Sequence, residues 1–258
     1  MAERKISLAL DVGHNIRGGV DQGHQYGSQE FIKEAGFNVA FKTNGQYHAE
    51  VTDDRHIGSI TFYRGPDIPS RLVEGVNMFG IIGRDRLREA QLGGLPIEEV
   101  VALGFSPCRI SLEIPCRSRY RNPHDLDGLR IATSLPNIAR DYFGQHGTEV
   151  RIVNYTGKEE GAPAAGAAEA VVAVWSTGTT AKENGLRRMR GYETIPLNGH
   201  ESSEAVLVAS THFLEEHGGE IIVNQFIQRC REAVGHTVVD LGAVRCSASV
   251  SVMSSAVG

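Results

Sequence analysis

Short apolar runs alternate with segments of helical period along most of the chain. The apolar runs predict strands at Ile6–Leu10, Ser59–Tyr63, Met78–Ile82, Val100–Leu103, Arg109–Ile114, Leu129–Ala132, Val150–Tyr155, Ala170–Trp175 and Ala205–Ser210. The helical segments predict helices at Ser28–Gly36, Asp67–Gly75, Arg84–Ala90, Pro136–Gly147 and Glu220–Val234. Strands that alternate with helices are typical of α/β proteins with largely parallel sheets, and the pattern therefore predicts that class.

A polar and basic stretch, Cys116–Gly128, separates two such series and predicts a loop near a domain boundary. The length of 258 residues allows one large domain or two smaller ones. After Gly235 the chain has no strong period.

Composition excludes several classes of partner. A net charge of −5 argues against nucleic acid, because binding a polyanion needs a surplus of Lys and Arg. No apolar segment approaches the roughly 18 residues of a membrane-spanning helix, and Ile6–Leu10 is too short for the core of a signal peptide. The four cysteines lack metal-ligand spacing and predict reduced thiols. These features predict a cytoplasmic protein without nucleic-acid or membrane partners.

The stretch Ser176–Thr180 lies between an apolar run and a helix-like segment. Backbone N–H groups at the start of a helix are unpaired and favour negative charge. Gly178 would let the backbone approach a phosphate, and the neighbouring hydroxyls would add donors. An ordinary turn with a Thr N-cap fits the same residues equally well, so both interpretations stay open on the loop alone.

The longer segment Gly157–Leu186 resembles the signature region of the ATP phosphoribosyltransferase family, which catalyses the first step of histidine biosynthesis. Its matching positions are Gly157, Glu160, Ala162, Pro163, Gly166, Ala168, Thr177, Gly178, Thr180, Asn184, Gly185 and Leu186. Val100–Pro115 is similar to the family's L-G-F-G-x-C-R-L-x-L-A-x-P segment. Arg64–Leu87 and Gly128–Gly147 resemble further family elements in the same order, so the resemblance covers about residues 5–210.

This resemblance implies an α/β, two-lobed fold like a type II periplasmic binding protein, with the active site in the interlobe cleft. The first lobe would comprise residues 1–108 and 196–258, and the second lobe, residues 109–195, would carry the Ser176–Thr180 loop. It also implies a small-molecule reaction between phosphoribosyl pyrophosphate (PRPP) and an adenine nucleotide, assisted by Mg²⁺ with ligands not identified from the sequence. Family members form homo-oligomers, and short forms work with a separate regulatory subunit, so both kinds of partner are expected.

The resemblance further implies three groups of site residues. The catalytic candidates are Arg64, Arg109 and Glu160. The PRPP-binding candidates are Ser176, Thr177, Gly178, Thr179, Thr180 and Glu169. The nucleotide-binding candidates are His14, Arg17, Arg84, Arg130, Thr133 and Ser134. Arginine binds phosphate bidentately, although each of these arginines has the alternative of a solvated or ion-paired surface residue.

Four departures from the family pattern fall at the expected site. Val12 and His14 stand where the family has Lys and Arg, and Met78 replaces an acid. Ala173 replaces a second acid that would bind ribose hydroxyls at the end of a strand. Trp175 is bulky beside the loop, where it either packs in the core or reshapes the ribose pocket.

These observations predict transfer of a 5-phosphoribosyl group from PRPP to N1 of ATP, with release of pyrophosphate. The departures favour a paralogue in a specialised route, such as one to purine-derived nucleoside antibiotics of the coformycin or pentostatin kind. The alternative is a non-catalytic nucleotide-binding or regulatory member of the same fold.

Overall fold

The computed structural model describes residues 5–11, 27–39, 47–51 and 54–248. The chain forms two compact units, each with its own sheet. The first comprises Met1–Ile81, Glu99–Phe105 and Ala205–Gly258, and the second comprises Ile82–Glu98 and Ser106–Glu204. The predicted α/β class is confirmed.

The described strands are β1 Ile6–Asp11, β2 His48–Glu50, β3 Ile57–Tyr63, β4 Phe79–Gly83, β5 Ile97–Ala102, β6 Arg109–Pro115, β7 Arg130–Thr133, β8 Arg151–Asn154, β9 Ala170–Trp175, β10 Leu186–Arg188 and β11 Ala205–Ser210. The described α-helices are α1 Ser28–Glu34, α2 Ile68–Val73, α3 Arg84–Leu92, α4 Pro136–Gln145, α5 Thr179–Glu183, α6 Thr211–His217 and α7 Ile221–Ala248. Within these described elements, no helix is long and apolar enough to cross a membrane.

The sheet of the first unit has the order β2-β3-β1-β4-β11-β5. Strand β1 runs parallel to both β3 and β4, and the short β2 is antiparallel to β3. Helix α7 packs on this core through Phe226, whose ring centroid lies 5.0 Å from that of Phe79 and 5.2 Å from that of Phe37. All three rings are buried, and such contacts stabilise the unit mainly through apolar area removed from water.

The sheet of the second unit has the order β10-β6-β9-β7-β8. Strands β7, β8 and β9 run parallel, whereas β6 is antiparallel to both β9 and β10. Because side chains alternate along a strand, β6 presents Ile110, Leu112 and Ile114 to a large apolar core and Ser111 and Glu113 to the other face. The second face, called here the small-residue face, is lined mainly by small residues together with Leu186; its buried members are Ala132, Ala162, Ala168, Val171, Ala173, Ala181 and Leu186.

Residues 82–98 group with the second unit, whereas the predicted boundaries place them in the first lobe. The physical reason is a set of polar contacts between α3 and α4. One carboxylate of α3, Glu89, accepts hydrogen bonds from the backbone N–H groups of Asn137 and Ile138 at 2.8 and 2.9 Å. Arg88 also lies 3.3 Å from Asp141. Glu89 thereby caps a helix that has no side-chain cap of its own.

The predicted strands and helices are present with ends shifted by a few residues. The sequence pattern did not predict strands β2 and β10 or helix α6. Each is too short to show a clear hydrophobic period, since the two strands have three residues each and the helix has seven. The C-terminal helix continues to Ala248 although the sequence after Gly235 lacks a clear period.

Replacing Glu89 by Ala should lower the free energy of unfolding by about 1–3 kcal/mol, because the first turn of α4 loses its only capping carboxylate. Glu98→Ala, which removes an exposed carboxylate of the same unit, serves as the control. Urea unfolding of both variants measures the difference. Equal stability of the two variants would contradict the capping role.

Candidate active site

The loop after β9 has a conformation that only glycine adopts easily. Gly178 is the N-cap of α5, with φ 75° and ψ 10°, in the left-handed region. No side chain caps the helix at that position, so the cap is glycine and not the Thr of the ordinary-turn interpretation. Thr177 Oγ1 instead accepts a long hydrogen bond of 3.4 Å from the N–H of Thr179.

Trp175, the last residue of β9, packs directly against this glycine. A Cβ atom added to Gly178 would lie 2.1 Å from Cζ2 of the indole ring, which is far inside van der Waals contact. The indole is partly buried and packs on the small-residue face of the sheet. Trp175 is therefore both a packing residue and one wall of the loop.

The hydroxyl groups of the loop are open to solvent. Ser176, Thr177, Thr179 and Thr180 are all exposed, and the Oγ1 atoms of Thr177 and Thr179 are 3.0 Å apart. A glycine turn with clustered hydroxyl donors and unpaired backbone N–H groups is a common concavity for an anion. The loop geometry is therefore compatible with binding one phosphate group.

Two arginines lie at the same end of β9. Arg109, the first residue of β6, pairs in register with Trp175 and is exposed. The guanidinium carbon of Arg188 lies 4.9 Å from the centroid of the Trp175 ring, a cation–π arrangement. The described residues provide no ion-pair partner for either guanidinium. The sequence pattern did not predict Arg188 as a site residue, because its position depends on β10, which was not predicted.

The carboxyl end of β7 lies beside that of β9, because the two strands are parallel neighbours. Thr133 is fully buried, and its Oγ1 accepts a hydrogen bond from the N–H of Leu135 at 2.9 Å. The hydroxyl of Ser134 donates to Glu159 at 2.9 Å, and Arg86 donates to the Ser134 carbonyl at 3.0 Å. The sequence candidates Thr133 and Ser134 therefore lie at this edge of the sheet, where Ser134 contacts Glu159, the unpredicted neighbour in sequence of the candidate Glu160.

Arg130 and Glu169 lie at the opposite edge. Arg130 begins β7 and Glu169 directly precedes β9, and their side chains pair with each other at 2.5 Å. This pairing lowers the pKa of Glu169. The six residues of β9 separate Glu169 from the loop, which is about 20 Å of strand. The structure does not bring these two candidates to the loop, because both lie where their strands begin, whereas the loop follows the end of β9.

The remaining candidates belong to other parts of the chain. Arg84 is buried and its guanidinium donates to Glu204 at 2.8 Å. Arg64 is exposed at the end of β3, in the first unit, whereas the loop belongs to the second. His14 and Arg17 lie outside the described residues.

Glu113 is a buried carboxyl group that the sequence analysis did not select. It is 1% exposed, and Ser111 Oγ donates to its Oε1 at 2.9 Å. Its Oε2 has no hydrogen-bond partner among the described residues. Burial, together with the nearby carboxylates of Glu160 and Glu159, raises the pKa of Glu113 to about 7, while Ser111 and Arg188 act in the opposite direction.

Comparison with known proteins identifies the family of this chain. The family model described as HisG, ATP phosphoribosyltransferase, matches residues 64–232, which include the loop, β6 and the Glu159–Glu160 pair. The chain belongs to the ATP phosphoribosyltransferase family. His14 and Arg17, the expected substitutes for basic residues of the family, precede the matched region.

One relative in the family is the ATP phosphoribosyltransferase of Methanopyrus kandleri. It is 39% identical over 158 residues, which are 61% of this chain and 54% of the relative. The chain thus spans about half the length of this curated relative.

Solved structures show the same fold. The ATP phosphoribosyl transferase (HisG:HisZ) complex from Thermotoga maritima matches with a TM-score of 0.67 and 24% identity, over 90% of this chain and 99% of the other. The alkanesulfonate-binding protein SsuA from Xanthomonas axonopodis pv. citri matches with a TM-score of 0.57 and 19% identity, over 97% and 81% of the two chains. The fold expected from the ATP phosphoribosyltransferase resemblance, that of a type II periplasmic binding protein, is confirmed.

Gly178→Ala should destabilise the second unit by about 2–5 kcal/mol, because it combines a left-handed φ with a steric clash against Trp175. Gly185→Ala is the matched control: its φ is +67° and no atom lies within 4 Å of the added Cβ. It should cost only about 1–2 kcal/mol. Trp175 is the only tryptophan in the sequence, so its fluorescence during urea unfolding reports this region directly. Equal losses in the two variants would show that the indole does not constrain the loop.

The pKa of Glu113 predicts a pH-dependent stability. The folded-state pKa of about 7 exceeds the usual 4.5, so the folded state binds more protons and the protein loses stability as the pH rises through this window. Relative to wild type, Glu113→Gln should gain up to about 3 kcal/mol between pH 4.5 and 8. Denaturation of both proteins at a series of pH values measures the change, with the exposed Glu183→Gln as control. A difference that stays constant with pH would contradict the buried, raised pKa.

Proposed function

We propose that this chain transfers the 5-phosphoribosyl group of PRPP to N1 of the adenine ring of ATP. The observation that carries the proposal is a family match that includes the loop after β9, together with the open, glycine-dependent geometry of that loop. In this proposal the loop binds the 5-phosphate of PRPP through backbone N–H groups and the hydroxyls of Ser176, Thr177, Thr179 and Thr180.

The reaction needs positioning and charge stabilisation more than covalent chemistry. The lone pair of N1 attacks C1 of the ribose, and the bond from C1 to the pyrophosphate oxygen breaks with its electron pair on that oxygen. The ribose carries positive charge in the transition state and the departing pyrophosphate carries negative charge. Arg109 and Arg188 lie beside the loop without protein ion-pair partners among the described residues, and they are our candidates for stabilising the pyrophosphate.

No side-chain nucleophile is required in this mechanism. Cys108, which directly precedes Arg109, is unsuited to that role, because burial raises the pKa of its thiol to about 11. A thiol with that pKa stays protonated near neutral pH and reacts slowly.

Mg²⁺ is the expected cofactor of the reaction. Among the described residues, no group of three or more His, Cys, Asp or Glu side chains is arranged to hold a metal ion. Mg²⁺ is often bound largely by the phosphates of a substrate, so we infer that the ion enters with PRPP. It would neutralise phosphate charge there, while the chain's own residues bind and orient the sugar.

We further propose that the chain works in the cytoplasm as a homo-oligomer, with a separate regulatory subunit as a compatible partner. The similar Thermotoga maritima structure is described as a HisG:HisZ complex, which supports a search for such a subunit. The route to a purine-derived nucleoside antibiotic remains a prediction that depends on the acceptor nucleotide.

One observation favours a second candidate, a non-catalytic nucleotide-binding member of the family. Ala173 is buried in β9 where an acid was expected, and alanine has no atom that can hold a ribose hydroxyl. The two candidates differ in turnover, so a single assay separates them.

The protein should release pyrophosphate when it is mixed with PRPP, Mg²⁺ and ATP, and should form the N1-ribosylated nucleotide. Parallel reactions with AMP and other purine nucleotides identify the acceptor. Arg109→Ala should lower kcat/KM at least about tenfold, because the leaving group loses a cation. Arg190→Ala removes an exposed arginine nearby and should leave it unchanged.

Tight binding of PRPP without turnover of any purine nucleotide would overturn the transferase proposal in favour of the non-catalytic one. Absence of PRPP binding would overturn both, since both depend on the phosphate loop.

A further inference from the structure

Glu113 is costly to the fold and has no structural explanation among the residues described. A buried carboxyl with an unsatisfied oxygen destabilises a protein, because the group loses water without gaining a full set of hydrogen bonds. Only one of its two oxygens has a partner, and the apolar cluster on this face, which is mostly alanine with Val171 and Leu186, offers no hydrogen-bonding side chain of its own. Buried groups with unsatisfied oxygens call for a specific explanation, and a bound ligand is one of them.

The strand register shows where this carboxylate lies. On β9, Ala173 is directly opposite Ser111 of β6, and Val171 is directly opposite Glu113. Glu113 is thus the diagonal neighbour of Ala173 on the same face, at about 7–8 Å between backbones. Its side chain extends along β6 to reach the hydroxyl of Ser111 at 2.9 Å. The carboxylate therefore extends from the level of Val171 toward position 173, in the direction of the loop.

The family pattern differs at both of these positions. The family segment that resembles Val100–Pro115 has alanine where this chain has Glu113, and the signature segment has an acid where this chain has Ala173. Relative to the family pattern, this chain lacks the acid at position 173 of β9 and has an additional acid, Glu113, on the adjacent strand β6. Glu113 starts two residues farther from the loop than position 173, which is about 6–7 Å of strand, and its hydrogen bond to Ser111 holds its carboxylate toward the level of position 173.

We propose that Glu113 supplies, from β6, the ribose-binding carboxylate that this chain lacks at position 173 of β9. This inference rests on the proposed function, because it needs a ribose 5-phosphate group held by the loop. Ser111 fixes Oε1. Oε2 is closed to solvent in this structure, so binding must move the side chains that cover it before Oε2 can accept a hydrogen bond from a ribose hydroxyl. The ligand hydroxyl thereby satisfies the oxygen that the protein leaves without a partner.

The charges around Glu113 fit this role. Arg188 is directly opposite Glu113 on β10, and its guanidinium lies over Trp175, beside the loop. Glu159 and Glu160 are the nearby carboxylates, and Glu159 is held by Ser134. An arginine at the phosphate end and acids at the hydroxyl end match the polarity of a ribose 5-phosphate.

The test compares ligands that share the phosphate and differ in one hydroxyl. Binding of ribose 5-phosphate, 2-deoxyribose 5-phosphate and 3-deoxyribose 5-phosphate is measured by calorimetry. Wild type should prefer ribose 5-phosphate over at least one deoxy ligand by about 10- to 100-fold, the value of a hydrogen bond to a charged group. In Glu113→Ala this preference should fall to about one, and Glu113→Ala combined with Ala173→Asp should restore it.

The preference, rather than the affinity, is the decisive quantity. Removing a negative charge near an anionic ligand strengthens binding of all three sugars alike, and Glu183→Ala on α5 controls for that effect. Glu113→Gln keeps the shape of the side chain, so it provides a folded variant if the Ala variant unfolds; it should reduce the preference.

The result that overturns this inference is binding of ribose 5-phosphate by wild type with the same preference in every Glu113 variant. That result leaves the transferase proposal intact. Failure of wild type to bind either ribose 5-phosphate or PRPP would instead overturn the phosphate loop and this inference together.

Discussion

The antiparallel register of β6 on β9 determines which side chains of the second unit can act together. It sets Arg109 beside Trp175, at the end of the strand where the loop begins, and it sets Ser111 beside Ala173. A shift of one residue would turn Ser111 and Glu113 into the large apolar core and bring Ile110 and Leu112 to the small-residue face. The positions of Arg109 beside the loop after β9 and of the buried acid on the small-residue face both depend on this single pairing.

The two ends of the candidate site use opposite physical strategies. The loop end is open to water, and its donors are backbone groups, hydroxyls and arginines whose charge costs little to keep solvated. The other end is closed to solvent, and burial of the Glu113 carboxyl group there lowers the stability of the fold. Electrostatic attraction that is partly screened by water is enough to bind a charged phosphate. Selective binding of a neutral hydroxyl group instead requires a preorganised acceptor that is not already hydrogen-bonded to water.

Local pattern predicted the strands that carry the site, and the resemblance predicted the loop, since both depend on residues close in sequence. Pairing between distant strands was not predictable in the same way. The resemblance predicted Glu169 and Arg130 as binding residues, but both lie where their strands begin and they form an ion pair with each other at the far edge of the sheet. Arg84 was predicted to bind phosphate, but its guanidinium forms an ion pair with Glu204, which lies 120 residues further along the chain. Glu113 and Arg188 were not predicted as site residues, because their positions beside Ala173 and Trp175 depend on the pairing of β6 with β9 and β10.

The sheet order of the first unit has a consequence for how the chain is made. Strand β5 has only β11 as a neighbour, and β11 also separates β5 from β4. Ala205–Ser210 leaves the ribosome long after β4 and β5, so the first sheet cannot close until the whole second unit has been synthesised. All residues of the second unit, Ile82–Glu98 and Ser106–Glu204, are synthesised before β11, so this unit can fold before the first sheet is complete, in contrast to the usual N-terminal-first order of domain folding.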